Sequence, residues 1–398
     1  MKAKTPKTKF LLAPALLGAL LPLYAARADA QLDKIRLADY VQSVKLSGDL
    51  RLREEDNFIT GSPKGTDRRR FRLRVGADVA LPNDFYASFR LASGKGEQVS
   101  TNQSFETMSS QKAIWIDTAY LGWARQYDNS SLYVQSGRMA NRLWRVTSSD
   151  LIWDDDINPE GFAQGGELML PDLGVTLFAN LMQLNANGSP AGATSAENQW
   201  VFSEQAGLET KLPFDTRIRT ALAYHKWSGE NLGALGGTVQ DGNRASGGVL
   251  VNQFGVAEWT TQLSGWVSGL PVAFQGTMIR NVRSSVDRVN GPLARDGYEY
   301  GLIAGKAAAK GTWEAALFYK KVEADATVAA FADSDFGNGG TNRRGAIMWL
   351  AYAPYDWMQL KAKYFDSEML DTSLGVSGTP MPGGKDWQRL QLDMVVKF

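Results

Sequence analysis

The side chains able to do chemistry fall into two charged sets. One is basic and recurs at alternate positions: Lys45, Arg51 and Arg53, then Arg70, Arg72 and Arg74, then Arg90. The other is acidic and local: Asp150, Asp154, Asp155, Asp156 and Glu160, with Arg138, Arg142 and Arg145 just before them. Carboxylates in a cluster can ligate Ca²⁺, but three consecutive Asp residues do not match the spaced ligands of an EF-hand loop. A solvated acidic loop is the plainer alternative. Catalytic sets are sparse. The chain has 398 residues, no Cys and one His. That excludes a disulfide framework, a Cys nucleophile, a thiolate metal site and a multi-His metal centre. The single histidine, His225, has no Ser or Asp pattern around it resembling a nucleophile elbow, and reads as a lone polar side chain in a lumen or at a rim. Gly94-Lys95-Gly96 lacks the spacing and following helix of a phosphate loop. Asp333-Ser334-Asp335 ahead of a Gly-rich stretch reads as a calcium loop or a mobile outer loop. The formal charge of +1 argues against a nucleic-acid partner. No metal or cofactor is expected, and no enzymatic activity.

The elements that position these residues are strands. In 69–80, Phe71, Leu73, Val75, Ala77 and Val79 share one parity, and Arg70, Arg72, Arg74 and Asp78 the other. The chain ends the same way, with Leu390, Leu392, Met394, Val396 and Phe398 against Arg389, Gln391, Asp393 and Lys397. Period-2 alternation is a strand with one apolar and one polar face. Sixteen such segments are expected, near 44–53, 69–80, 85–92, 112–125, 131–138, 162–171, 174–184, 200–212, 216–227, 258–267, 271–281, 297–309, 312–324, 343–354, 357–367 and 386–398. Their connections alternate between long and tight, and the tight ones are rich in Gly, Pro, Asn and Asp, such as Leu81-Pro82-Asn83-Asp84.

That alternation predicts an all-β fold: a transmembrane antiparallel up-and-down β-barrel of sixteen strands, with short periplasmic turns and long outer loops. Only a closed barrel lets strands cross hydrocarbon with every backbone polar group paired. An extra pair of strands near Val249-Leu250-Val251 would raise the count to eighteen. The basic start, the apolar run Phe10–Leu23 and Ala28-Asp29-Ala30 predict a cleavable signal peptide over 1–30. A short periplasmic segment, 31–43, would follow, and then the barrel, 44–398. Removing 1–30 takes away five basic residues and one acidic one, so the mature chain turns mildly acidic. Aromatics near strand ends (Trp115, Trp123, Trp227, Trp313, Tyr352, Tyr355, Trp357, Trp387) suggest interfacial girdles. Phe398, closing an alternating last strand, resembles the signal read by the barrel-insertion machinery.

Gly137-Arg138, the stretch Ser149-Asp150-Leu151-Ile152-Trp153-Asp154-Asp155-Asp156-Ile157-Asn158-Pro159-Glu160-Gly161, and the later Tyr300-Gly301-Leu302, Glu323-Ala324-Asp325-Ala326 and Asp333-Ser334-Asp335-Phe336 carry a resemblance. The chain resembles the Gram-negative outer-membrane porins, in particular the "putative porin" group of sixteen-stranded barrels. The resemblance implies an outer-membrane location amid lipid and lipopolysaccharide, a water-filled channel for ions and small hydrophilic solutes, and a homotrimer. A substrate-selective channel and a non-conducting adhesin are the alternatives.

On this architecture the basic row faces water, because a charge on the lipid face near the midplane costs ~2–4 kcal/mol. Lys45, Arg51, Arg53, Arg70, Arg72, Arg74 and Arg90 would then form a basic inner wall, unless they sit on a solvated rim. In porins the third outer loop folds inward. Carried over to 139–161, that places Arg138, Arg142, Asp150, Asp154, Asp155, Asp156 and Glu160 at a constriction facing the wall, where opposed charges sort solutes.

Overall fold

The computed structural model describes residues 39–60, 66–94, 99–147, 149–187, 199–228, 242–246, 249–283, 293–372, 374 and 386–398. The expected signal peptide and most of the short segment after it lie outside these residues. From Gln42 onward the chain forms one unit.

Sixteen strands build it. The first eight are β1 (Ser43–Ile59), β2 (Thr66–Ala80), β3 (Phe85–Ser93), β4 (Ile114–Gln126), β5 (Ser130–Arg138), β6 (Glu160–Leu170), β7 (Val175–Asn187) and β8 (Gln199–Leu212). The second eight are β9 (Thr216–Trp227), β10 (Gly255–Val267), β11 (Leu270–Asn281), β12 (Asp296–Gly305), β13 (Trp313–Val322), β14 (Arg343–Tyr355), β15 (Met358–Met369) and β16 (Asp386–Lys397). Each pairs antiparallel with its neighbours in the chain, and β1 closes the ring on β16 from Asp49↔Lys397 to Ile59↔Trp387. The strand count is therefore sixteen. The segment that would have supplied two more forms a separate small hairpin, Ala245–Ser246 with Val249–Leu250, outside the wall. A two-residue strand, Gln103–Ser104, completes the wall beside the upper part of β2.

Burial along these strands is the reverse of a water-soluble protein's. Leu121, Leu132, Leu222, Met278, Leu302, Leu317 and Leu350 point outward and are exposed, Leu222 by 67%. Arg53, Glu55, Asn180, Gln205, Thr260, Glu299 and Lys320 point inward and are buried, Arg53 to 7% exposure. An apolar belt around a closed sheet fits a hydrocarbon surrounding, where every strand N–H and C=O must already be paired. The tight ends are held by residues that tolerate positive φ: Asn83 and Asp84 stand at φ 60° and 67°, as a two-residue hairpin turn of the primed type requires. At one such end Tyr355 and Trp357 stack with ring centroids 5.0 Å apart. Both are exposed, as are Trp313 and Tyr352. Trp227 departs from the expected girdle. It is 1% exposed and on the inward parity with His225, because aromatic type and position near a strand end do not specify a face.

The interior is filled on one side. The segments 139–159 and 323–342 turn into the barrel and meet residues 250–254. Trp153 stacks on Trp227 (6.2 Å, 21°) and meets Phe331 edge-on (5.6 Å). Leu151, Ile152, Val328, Ala330, Leu250 and Phe254 belong to the same buried cluster. Two backbone bonds tie the segments to each other, Asp154 N–H to Phe331 O (2.7 Å) and Asp333 N–H to Asp150 O (2.9 Å). Asp333–Asp335 thus lie in an inward segment, where a mobile outer loop or calcium loop was the sequence expectation. The apolar run Val328–Ala332 draws the stretch in, since its burial needs an apolar partner.

Candidate functional site

The apolar plug occupies the side of β7–β13 and leaves a polar cavity against β1, β2, β15 and β16. Registers there set inward side chains in rungs. Gln359, Val395, Arg51 and Arg72 form one, Lys361, Asp393, Arg53 and Arg70 the next, and Lys363, Gln391, Glu55 and Arg68 a third. Directly opposed residues stand ~5 Å apart, within reach of their neighbours' charges. All of these except Glu55 line one cavity of about 410 Å³, and Asp150, Asp154, Asp155, Asp156, Asp333 and Asp335 line it from the two inward segments.

The pairing within the site is specific. Arg53 donates from Nε and Nη2 to the two oxygens of Asp393 (2.6 and 2.8 Å) and lies 3.4 Å from Asp335. Arg389 Nη1 donates to Asp335 (2.8 Å). Glu55, fully buried, receives Arg68 and lies 3.7 Å from Arg70. Arg72 binds Asp49 at 2.8 Å and reaches 3.8 Å toward Asp156. On the inward segments Arg145 pairs with Asp155 (2.7 Å) and stands 3.6 Å from Asp150. Asp154 accepts the backbone N–H of Asp156 and of Ser334 (2.8 Å each). Among the described residues no three carboxylates converge on a metal-sized site. The acids bind cations and backbone N–H groups.

The loop acids divide electrostatically. Burial, then Asp155, Asp333 and Asp154 nearby, push Asp150 well above the ordinary carboxylate range. Burial, then Asp156 and Asp333, do the same to Asp154. Burial also works against ionisation of Asp335, but Arg53, Arg389 and Lys363 outweigh it and hold that carboxyl below its usual value. Lys320, bonded at 2.8 Å, and Lys363 likewise overcome burial at Asp333 and keep it low.

Of the basic residues singled out in the sequence, Arg51, Arg53, Arg70 and Arg72 come together in this cavity. Lys45, exposed and opposite Asp78, does not line it, nor does Arg74, held by Asp49 at 2.7 Å, nor Arg90, held by Asp117. Of the acidic set, Asp150, Asp154, Asp155 and Asp156 reach the cavity. Glu160 does not, because it pairs with Arg138 (3.0 Å) at the root of the inward segment. Arg142 lies 4.0 Å over the Tyr133 ring and also stays away. Phe398 is exposed and exchanges backbone hydrogen bonds with Gly48. Lys361, Lys363, Arg389 and Asp393 are not among the candidates that the sequence offers, and Asp335 is singled out there only as part of a calcium loop or mobile outer loop. Parity does set Arg389 and Asp393 on the polar face of the last strand, but nothing local marks their partners.

His225 is fully buried, with Nδ1 2.9 Å from Ser203 Oγ and Nε2 2.9 Å from Glu258 Oε2. The chain continues through Thr260 and Thr277 to Ser149 of the inward segment (3.0, 3.2 and 2.8 Å). A Ser–His–acid series has the connectivity of a hydrolase triad. Ser203, however, is wholly buried and Trp153 and Trp227 pack on the imidazole, so a substrate does not reach the hydroxyl. The series ties the inward segment to the wall.

A closed sixteen-stranded barrel, apolar outside and charged within, is an outer-membrane barrel. The family model described as "Putative porin" matches residues 59–232 and 265–398, well over half of the chain, and the chain belongs to that family of outer-membrane porins. Its place is the bacterial outer membrane. Among solved structures it is similar to Pseudomonas putida OprB at high pH, with TM-score 0.57 and 10% identity over 89% of this chain and 94% of that one. It is similar also to Salmonella typhi OmpF in complex with daunomycin, with TM-score 0.52 and 12% identity over 89% and 97% of the two chains. These likenesses show the fold. No curated protein matches the sequence.

Proposed function

We propose that the chain is a passive channel for ions and small hydrophilic solutes, with its filter where the inward segments 139–159 and 323–342 face the wall of β1, β2, β15 and β16. The observation that carries this is a single cavity with Arg51, Arg53, Arg70 and Arg72 on the wall and Asp154, Asp155, Asp156 and Asp335 across from them. Opposed rows of fixed charge impose a transverse field that sorts solutes by charge and dipole. Membership of a porin family supports the reading, and also a homotrimer, with residues 1–30 as a cleaved signal peptide and Phe398 as the insertion signal. Catalysis is no part of it.

The test is planar-bilayer recording under a KCl gradient. Arg72→Glu, which reverses a charge 3.8 Å from Asp156, is expected to move the reversal potential toward cations. An unmoved potential in a conducting barrel refutes the charged filter. Migration in SDS as a trimer before boiling tests the assembly.

A further inference from the structure

Most pore-wall cations have a carboxylate of their own. Arg53 has Asp393, Arg68 and Arg70 share Glu55, Arg72 has Asp49, and Arg389 has Asp335. Arg51, Lys361 and Lys363 have none within 4 Å among the described residues. Arg51 donates from Nη2 to Asn102 Oδ1 (2.6 Å), while its Nε is buried without a partner. Lys361 Nζ rests 4.4 Å from the Trp349 ring centroid and Lys363 Nζ 4.6 Å from that of Phe365. A ring face attracts an ammonium but accepts none of its three N–H bonds in the way an oxygen does.

The surroundings leave these cations without a bonded carboxylate, and Lys363 acts on Asp333 and Asp335 only at longer range. Asp393 stands opposite Lys361, yet both its oxygens are bound by Arg53. Opposite Lys363 is Gln391, which carries no charge. Behind the lysines Trp349 lies flat against Phe318 (5.4 Å, 6°), an aromatic backing on the wall side. Between Arg51 and Gln359 the rung is filled by Val395, short and apolar, and Lys361 stands on the next rung of the same cavity.

We propose that Arg51, Lys361 and Lys363 form a binding station for small oxyanions, carboxylates and inorganic phosphate alike, inside the channel. The station rests on the channel reading above and adds a substrate class to it. An oxyanion there gains the donors that the wall leaves unused.

The experiment uses the full-length protein in planar bilayers, with potassium acetate and then inorganic phosphate as probes. The wild-type current is expected to saturate with acetate concentration, and phosphate is expected to reduce the chloride current. Lys361→Gln with Lys363→Gln should weaken anion preference by about fourfold per charge, the Coulomb factor for unit charges about 5 Å apart in water. Lys361→Arg with Lys363→Arg should retain saturation. A wild-type barrel carrying no current overturns the channel reading and the station with it. A conducting barrel whose current rises linearly with acetate and ignores phosphate overturns the station alone. So does a double Gln variant that saturates as the wild type does. If that variant does not fold, phosphate competition in the wild type decides.

Discussion

Replacing Trp153 by Ala is expected to widen the pore while leaving the barrel intact. Trp153 is 2% exposed, stacked on Trp227 and edge-on to Phe331. An aromatic side chain of this kind buries roughly 150–250 Å². At ~25 cal/mol per Å² that is roughly 4–6 kcal/mol, an upper bound because the unfolded chain already buries some of it. Large-to-alanine changes at core aromatics cost about 3–5 kcal/mol. No hydrogen bond is lost, since the indole N–H has no partner among the described residues. The loss falls on the docking of segment 139–159, because the wall is held by strand ladders in which Trp153 has no part. What remains of the docking is the burial of Leu143, Leu151, Ile152 and Ile157 with three polar ties, Asp154 N–H to Phe331 O, Ser149 to Thr277, and Trp144 N–H to Gln205. In single-channel recordings Trp153→Ala should show larger conductance and a noisier open level, with unchanged heat-modifiable mobility on gels. Trp153→Phe should stay close to wild type. A folded Trp153→Ala protein with wild-type conductance and noise would refute the reasoning that the docked segment 139–159 narrows the pore.

Asp335→Asn should undock segment 323–342. It leaves Arg53 and Arg389, with side chains 6% and 1% exposed, facing a neutral amide; breaking a buried pair costs about 3–5 kcal/mol, reduced to about 2–3 because Asp335 is itself partly exposed. A lower thermal midpoint in detergent is the readout, and an unchanged midpoint counts against the clasp. Because the folded carboxyl of Asp335 is held low, its contribution is complete above the unfolded value near 3.9 and fades only as pH falls through the lower folded value. Asp150 and Asp154 behave oppositely. Raised by burial and by their acidic neighbours, they take up protons above that ordinary value, and their ionisation at higher pH costs stability. Acidification should therefore shift reversal potential toward anions before ordinary carboxylates titrate; a shift confined to pH below 3.9 would contradict this.

Strands were legible wherever one face meets lipid and the other water. β2 and β16 alternate through their length, and the observed bounds of β9, 216–227, are those expected. β4 was harder. A register shift against Arg90 and Leu91 turns both Asp117 and Thr118 inward, which breaks the parity. β1 runs on to Ile59, beyond the expected 53, because Glu55 and Asn57 are held by Arg68 and Arg389 rather than by any apolar pattern. The site was legible only in halves. The acids at 150–156 and the arginines at 51–72 are conspicuous in the sequence, but their partners are not, since Arg53 and Asp393 lie 340 residues apart. The alternation at Lys361 and Lys363 shows a polar face, yet which lumen charge goes unpaired depends on which carboxylates are already taken. Asp333 and Asp335 look like part of an outer loop until the burial of Val328–Ala332 is known.

The charged cavity proposed as the filter lies across the join between the first and last strands. Arg51 and Arg53 stand on β1, and Asp393 and Arg389 on β16, so the clasp at Arg53–Asp393 bridges the seam. An open sheet that has paired every strand in sequence, but not its two ends, has a complete apolar belt and no filter. Closing so long a chain is an entropic cost that local pairing does not offset. The ion pairs at the seam are formed only when that cost is met, so they act as a latch as well as a lining. The charged lining thus comes into being together with the finished ring: a barrel stalled one pairing short would have a gap in its wall rather than a misplaced charge.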